Sequence, residues 1–94
     1  MYGVVRRYAH AGGLGDALVA RQAEVAELLK SVPGFKAYYA VSGADGSLAT
    51  VTVCESKAGA DESTRRAGEW VRANLPGASV SPPEITEGET ILSF

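Results

Sequence analysis

A strand, a helix, two strands joined by a tight turn, a second helix and a last strand follow one another within 94 residues. That order leaves few ways to fold. A sheet and a helix each have an apolar face that must be buried against another layer, and two helices can cover only one side of a four-stranded sheet. The order therefore predicts an α+β chain, β-α-β-β-α-β, with an antiparallel sheet and one bare sheet face, as a single domain over residues 1–94. A domain this short buries only about two thirds of the surface its unfolded chain exposes, so a second copy and a ligand are both expected on that bare face.

The elements are read from local pattern. Residues 1–9 carry Tyr2, Val4, Val5 and Tyr8, a strand-like composition. Gly12-Gly13-Leu14-Gly15 breaks the strand, and Asp16 is placed to cap the following helix. Leu18, Val25, Leu29 and Val32 then fall on one stripe of a single helix, stopped by Pro33-Gly34. Phe35 to Ser42 and Leu48 to Cys54 alternate as strands, and Asp45-Gly46 between them supplies the positive φ of a tight hairpin. The odd-numbered residues of this hairpin are the more uniformly apolar and are expected to face the helices. The even-numbered set mixes Tyr, Thr, Ala and Cys, and is expected to form the functional face.

A second helix is expected from Asp61, as its cap, to Leu75, ended by Pro76-Gly77, with Thr64, Ala67, Val71 and Leu75 inward. Glu62–Arg66 and Arg65–Glu69 are spaced to pair on its outer side. Ser81-Pro82-Pro83 must be extended, and residues 84–94 read as a last strand interrupted near Gly88.

Composition narrows the function. A net charge of −2 argues against a nucleic-acid or anionic-membrane surface. No apolar run approaches the ~20 residues that span a bilayer, and the first residues read as a strand rather than as a signal peptide. One cysteine, Cys54, and one histidine, His10, offer neither a disulfide nor a metal cluster. A cytoplasmic protein without metal is expected. Gly12, Gly13 and Gly15 match no phosphate-loop spacing, and Asp16 would repel an anion there. The same topology serves RNA-recognition modules, but the strand Ser47 to Cys54 lacks the aromatics on which they stack bases.

Several strings sharpen the picture: Val5-Arg6-Arg7-Tyr8, Pro33-Gly34-Phe35, the helix from Gly59 to Asn74 with its run from Ser63 to Asn74, and Pro82-Pro83-Glu84-Ile85. With the ferredoxin-like order of elements they resemble the antibiotic-biosynthesis-monooxygenase superfamily, the dimeric α/β-barrel group, over nearly the whole chain. The resemblance implies a homodimer whose two sheets close into a barrel, and small-molecule chemistry without a cofactor. Members include oxygenases of aromatic polyketides and haem degraders. The haem-degrading branch uses an asparagine on the first strand, and a tryptophan and a histidine on the second helix. Here Trp70 matches the tryptophan, the helix has no histidine, and the first strand offers Arg6 and Arg7.

The candidate site residues are Arg6 and Tyr8 on the first strand, Tyr38, Thr50, Thr52 and Cys54 on the hairpin, and Trp70. Arg6 would bind a carboxylate or phenolate, and the tyrosines would supply hydroxyl donors. Trp70 is either rim packing or a pocket wall. Cys54 reads as a small buried hydrophobe, and His10 as a surface residue or a base at the cleft mouth. Two functions follow: a cofactor-free monooxygenase acting on an aromatic, or a non-catalytic binding or dimerisation module. An amino-acid-sensing regulatory domain shares the topology, but usually comes with a DNA-binding segment, and none is read here.

Overall fold

The computed structural model describes residues 1–75 and 82–94. Its elements run β1 (Tyr2–Tyr8), α1 (Leu14–Ala20), α2 (Gln22–Lys30), β2 (Phe35–Ser42), β3 (Leu48–Cys54), α3 (Lys57–Asn74) and β4 (Glu84–Glu89). The strands form one antiparallel sheet in the order β2-β3-β1-β4. This is the α+β, ferredoxin-like arrangement expected from the order of elements. β1 and β3 lie in the centre, so their helix-facing side chains form the floor of whatever the helices cover.

Local chemistry moves several boundaries. The first helix is two helices, broken at Arg21 (φ −117°, ψ 31°). Gly13, with φ 86°, holds the cap position of α1, and Asp16 sits inside its first turn, where its charge still suits the helix N-terminus. The last helix begins at Lys57 behind Ser56 rather than at Asp61. Asp61 instead accepts a bond from Lys57 Nζ at 2.8 Å. β4 runs unbroken through Gly88, which pairs with Gly3, and ends at Glu89. Pro76-Gly77 and Ser81 lie outside the described residues.

The largest correction concerns the two faces of the sheet. The even-numbered residues of β3 are the buried ones (Leu48, Thr50, Thr52 and Cys54), as are Val4 and Arg6 on β1. The helices therefore cover the mixed, hydroxyl-bearing face. The apolar odd-numbered face lies open: Tyr39, Val51, Val5 and Thr86 form one row across it, and Val41, Ala49, Arg7 and Glu84 the next. Tyr39 is 64% exposed and Val41 61%. At the start of β2 a bulge between Phe35 and Ala37 adds Lys36 as an extra residue. It turns Phe35 toward the helices opposite Cys54 and leaves Lys36 to pair with Glu55 at 3.1 Å.

Two apolar clusters hold the layers together. Leu14, Val25, Leu29, Leu48 and Trp70 pack where α1 and α2 meet the sheet, and Val4, Val32, Cys54 and Ala60 pack under the start of α3. On the outer side of α3, Glu62 pairs with Arg65 and Arg66, and Arg65 also reaches Glu69 at 2.6 Å. Its bonds with Arg65, then Arg66, hold the Glu62 carboxyl at about 2 instead of 4.5. A carboxyl that titrates lower in the folded chain stabilises it fully above its unfolded value, and that contribution fades as pH falls through the folded one. Glu62→Gln should therefore flatten the acid limb of the melting-temperature profile between pH 4.5 and 2, with little change near neutrality because the pairs are exposed and screened. An unchanged acid limb would show that these pairs contribute nothing to stability.

Candidate functional site

Strand alternation brings β1, β2 and β3 to one wall. Arg6 and Tyr8 project from β1, Tyr38 from β2, and Thr50 and Thr52 from β3, all toward the helices. From α3 come Thr64, Ala67, Trp70 and Val71, three and four residues apart on its inner side. Arg6, Tyr8, Tyr38, Thr50 and Trp70 line one narrow space of about 30 Å³, room for roughly one water.

That constriction is flanked by two wider clefts. Toward β4, a cleft of about 290 Å³ is bounded by Arg6, Tyr8, Thr64, Arg72, Pro83 and Ile85. Toward β2, a cavity of about 450 Å³ lies between α1, α2 and the edge strand, with Tyr38 on its wall. The three share walls: Tyr38, Leu18, Val25 and Leu29 on the β2 side, and Arg6, Tyr8, Ala67 and Val71 on the β4 side.

Arg6 dominates the electrostatics. It is 4% exposed. One guanidinium nitrogen donates to Thr52 Oγ1 at 3.2 Å, the other to Thr64 Oγ1. Among the described residues no carboxylate forms an ion pair with it. Burial lowers its pKa, as taking a cation out of water must. Burial also raises the phenols of Tyr8 and Tyr38, with Arg6 pulling each back, so both remain neutral hydroxyl donors. A buried cation held only by hydroxyls keeps its full charge to offer, since a neutral acceptor orients it without cancelling it.

Trp70 is 7% exposed, and its indole N–H donates to Glu24 Oε1 at 3.0 Å, which ties α3 to α2 over the site. Its ring packs in the first apolar cluster and borders the narrow space. Thr52, with no exposed surface, meets no cleft and serves to aim Arg6. Cys54 lies away in the second apolar cluster, where burial raises its thiol pKa. His10 is on the exposed turn after β1, outside the lining of these three spaces. Sequence reading missed Thr64, the second partner of Arg6, although a hydroxyl on the inward stripe of a helix was the available signal. It also missed Glu24, Arg72 and Ile85. Among the described residues no group of three His, Cys, Asp or Glu side chains could hold a metal ion, and no helix is long and apolar enough to cross a membrane.

No protein-family model and no curated protein matches the chain. Solved structures do. A haem-degrader from Mycobacterium tuberculosis, with two haems in its active site, superposes with a TM-score of 0.70 at 18% identity, covering 100% of this chain and 99% of that one. A monooxygenase from Streptomyces coelicolor, in complex with nanaomycin D, gives 0.68 at 21%, covering 99% and 89%. A cofactor-independent oxygenase from Streptomyces nogalater gives 0.68 at 17%, covering 98% and 94%. The chain has the fold of the antibiotic-biosynthesis-monooxygenase-like proteins. Identities this low speak to the fold alone, and the chemistry of this chain rests on its own residues.

Proposed function

We propose that this protein is a homodimer that binds a small anionic aromatic between sheet and helices, and that it oxidises such a molecule with dioxygen and no cofactor. One observation carries the reading: Arg6, buried and bonded among the described residues only to hydroxyls, faces clefts walled by Tyr8, Tyr38 and Trp70. A phenolate beside Arg6 supplies the missing negative charge, and its ring gains aromatic neighbours. Arg6 lowers the phenol's pKa by favouring the anion. The electron-rich ring then gives an electron to O₂, the radical pair joins at a ring carbon, and loss of water from the hydroperoxide leaves a quinone. One phenol and one O₂ give one quinone and one water. The solved oxygenases of this fold support the chemistry by analogy.

A screen of hydroxyaromatics by melting shift tests the binding step, and oxygen consumption with a bound ligand tests the chemistry. No shift with any hydroxyaromatic would remove the reading. Shift without oxygen uptake would establish the second reading, a non-catalytic binding module, which is favoured by the absence of a histidine on α3 and by tyrosines too weakly acidic to act as bases near neutrality.

The dimer rests on the open sheet face, with its rows of Val5, Val51 and Tyr39. Stable interfaces bury about 800 Å² per partner around an apolar centre. Val51→Asp places a charge at that centre and should turn a dimer into a monomer in light scattering. A wild-type monomer at micromolar concentration would exclude the assembly. We place the protein in the cytoplasm, in keeping with its free thiol, Cys54.

A further inference from the structure

We propose that the cavity on the β2 side is a second binding site, independent of Arg6, and that its ligand is a single-chain aliphatic carboxylate. The cavity exists because small residues meet there. On the helix-facing side of outer β2 stand Ala40 and Ser42, beside Thr50 and Leu48 of β3. Gly15 of α1 lies across from them, within 4.0 Å of Ser42 Oγ by the position its Cβ would take. Above, the break at Arg21 parts α1 from α2. The result is about 450 Å³ walled by Leu18, Val25, Leu29, Phe35 and Leu48, within the range of pockets that enclose a small molecule.

The charge of the lining selects the ligand. Among the described residues no acidic side chain borders the cavity, and the one charged residue is Lys30, at the end of α2 opposite Gln22. Among the described residues Lys30 has no ion-pair partner. An apolar interior with a single cation fits a molecule with an apolar body and one anionic end. Branched aliphatic side chains from α1, α2 and β3 are the largest group in the wall, and Phe35 and Tyr38 are its aromatics. A flexible alkyl chain fills such a space more completely than a flat ring. Arg6 does not border this cavity, so the site stands or falls separately from the aromatic one.

Isothermal titration of the full chain with hexanoate, octanoate and decanoate tests the site. Each buried methylene contributes about 0.8 kcal/mol, so Kd should tighten about fourfold per methylene until the cavity is full. Ala40→Phe, an exposed position whose ring would occupy the space, should abolish that chain-length dependence; Ala26→Phe does the same from the opposite wall should the first variant fold poorly. Lys30→Glu should weaken decanoate while leaving decanol unchanged. Arg6→Met should leave the series intact. Three results overturn the proposal: no chain-length dependence in the wild type, its loss in Arg6→Met, or binding that appears only after residues 91–94 are removed. The last would assign the cavity to the exposed apolar tail (Ile91, Leu92, Phe94) of a second copy.

Discussion

Replacing Arg6 by methionine should abolish the melting response to hydroxyaromatic anions while leaving the protein folded. The two effects separate because the guanidinium is a poor structural element. Burying a cation without a counter-charge costs several kcal/mol of lost hydration, and hydroxyl partners recover only part of it. Methionine removes that cost but leaves the buried Thr52 hydroxyl without its partner, a penalty of about 1–3 kcal/mol. Thr64 keeps a second bond, to the Ala60 carbonyl at 3.1 Å. The single variant should therefore lie within about 1 kcal/mol of wild type, and adding Thr52→Val should stabilise it by about 1–3 kcal/mol. For a domain of this size each kcal/mol moves the melting temperature by about 4–8 °C. Thermal melts with and without ligand read both quantities. Collapse of the unliganded Arg6→Met protein would make Arg6 a scaffold residue and remove the main support for an anion site.

Gly59→Ala should be a strongly destabilising substitution for so small a change. A Cβ there would lie 2.6 Å from the Pro33 carbonyl oxygen and 3.3 Å from Cys54 Cβ. The first contact is with backbone, which cannot swing aside, so α3 must lift from the sheet. Overpacking of this kind costs about 1–3 kcal/mol, and here it falls where Val4, Val32, Cys54 and Ala60 form a cluster. Because α3 carries Thr64 and Trp70, ligand binding should weaken along with stability. Gly68→Ala is the control, since its Cβ would meet only the flexible end of Arg72 at 3.5 Å; it should be neutral or slightly stabilising in a helix interior. Equal melting temperatures for the two variants would refute the account of Gly59.

The same glycine shows why part of the fold was hidden in the sequence. Asp61 reads as a helix cap, so Gly59 was left outside an α3 that in fact starts at Lys57. The real constraint on Gly59, a carbonyl 26 residues earlier in the chain, is tertiary. The break at Arg21 was invisible for a different reason. Leu18, Val25 and Leu29 face inward on both sides of it, and neither Gly nor Pro marks the place. The strands and hairpin were legible because period-two patterning and the Asp-Gly turn are local.

The assignment of faces failed on a more general point. Apolar alternation says that a side chain is destined for burial, but not which surface will bury it. On β3, valines occupy the face the chain leaves open, while threonines go beneath the helices, where Arg6 and Tyr38 engage their hydroxyls. Grouping Arg6, Tyr8, Tyr38, Thr50 and Thr52 needed only the parity of two strands. Finding Thr64 and Glu24 needed the path of the helices over them.

Along β1 the residues alternate between two environments, with Arg6 under the helices between Val5 and Arg7 on the opposite side. This layout shapes how such a protein can evolve. Point changes at every second position can retune what it holds without disturbing how it associates. Gain or loss of one residue in the strand would exchange the two sets at once. Lineages that keep this architecture should therefore diverge by substitution within strands, and confine changes in length to turns such as residues 9–13.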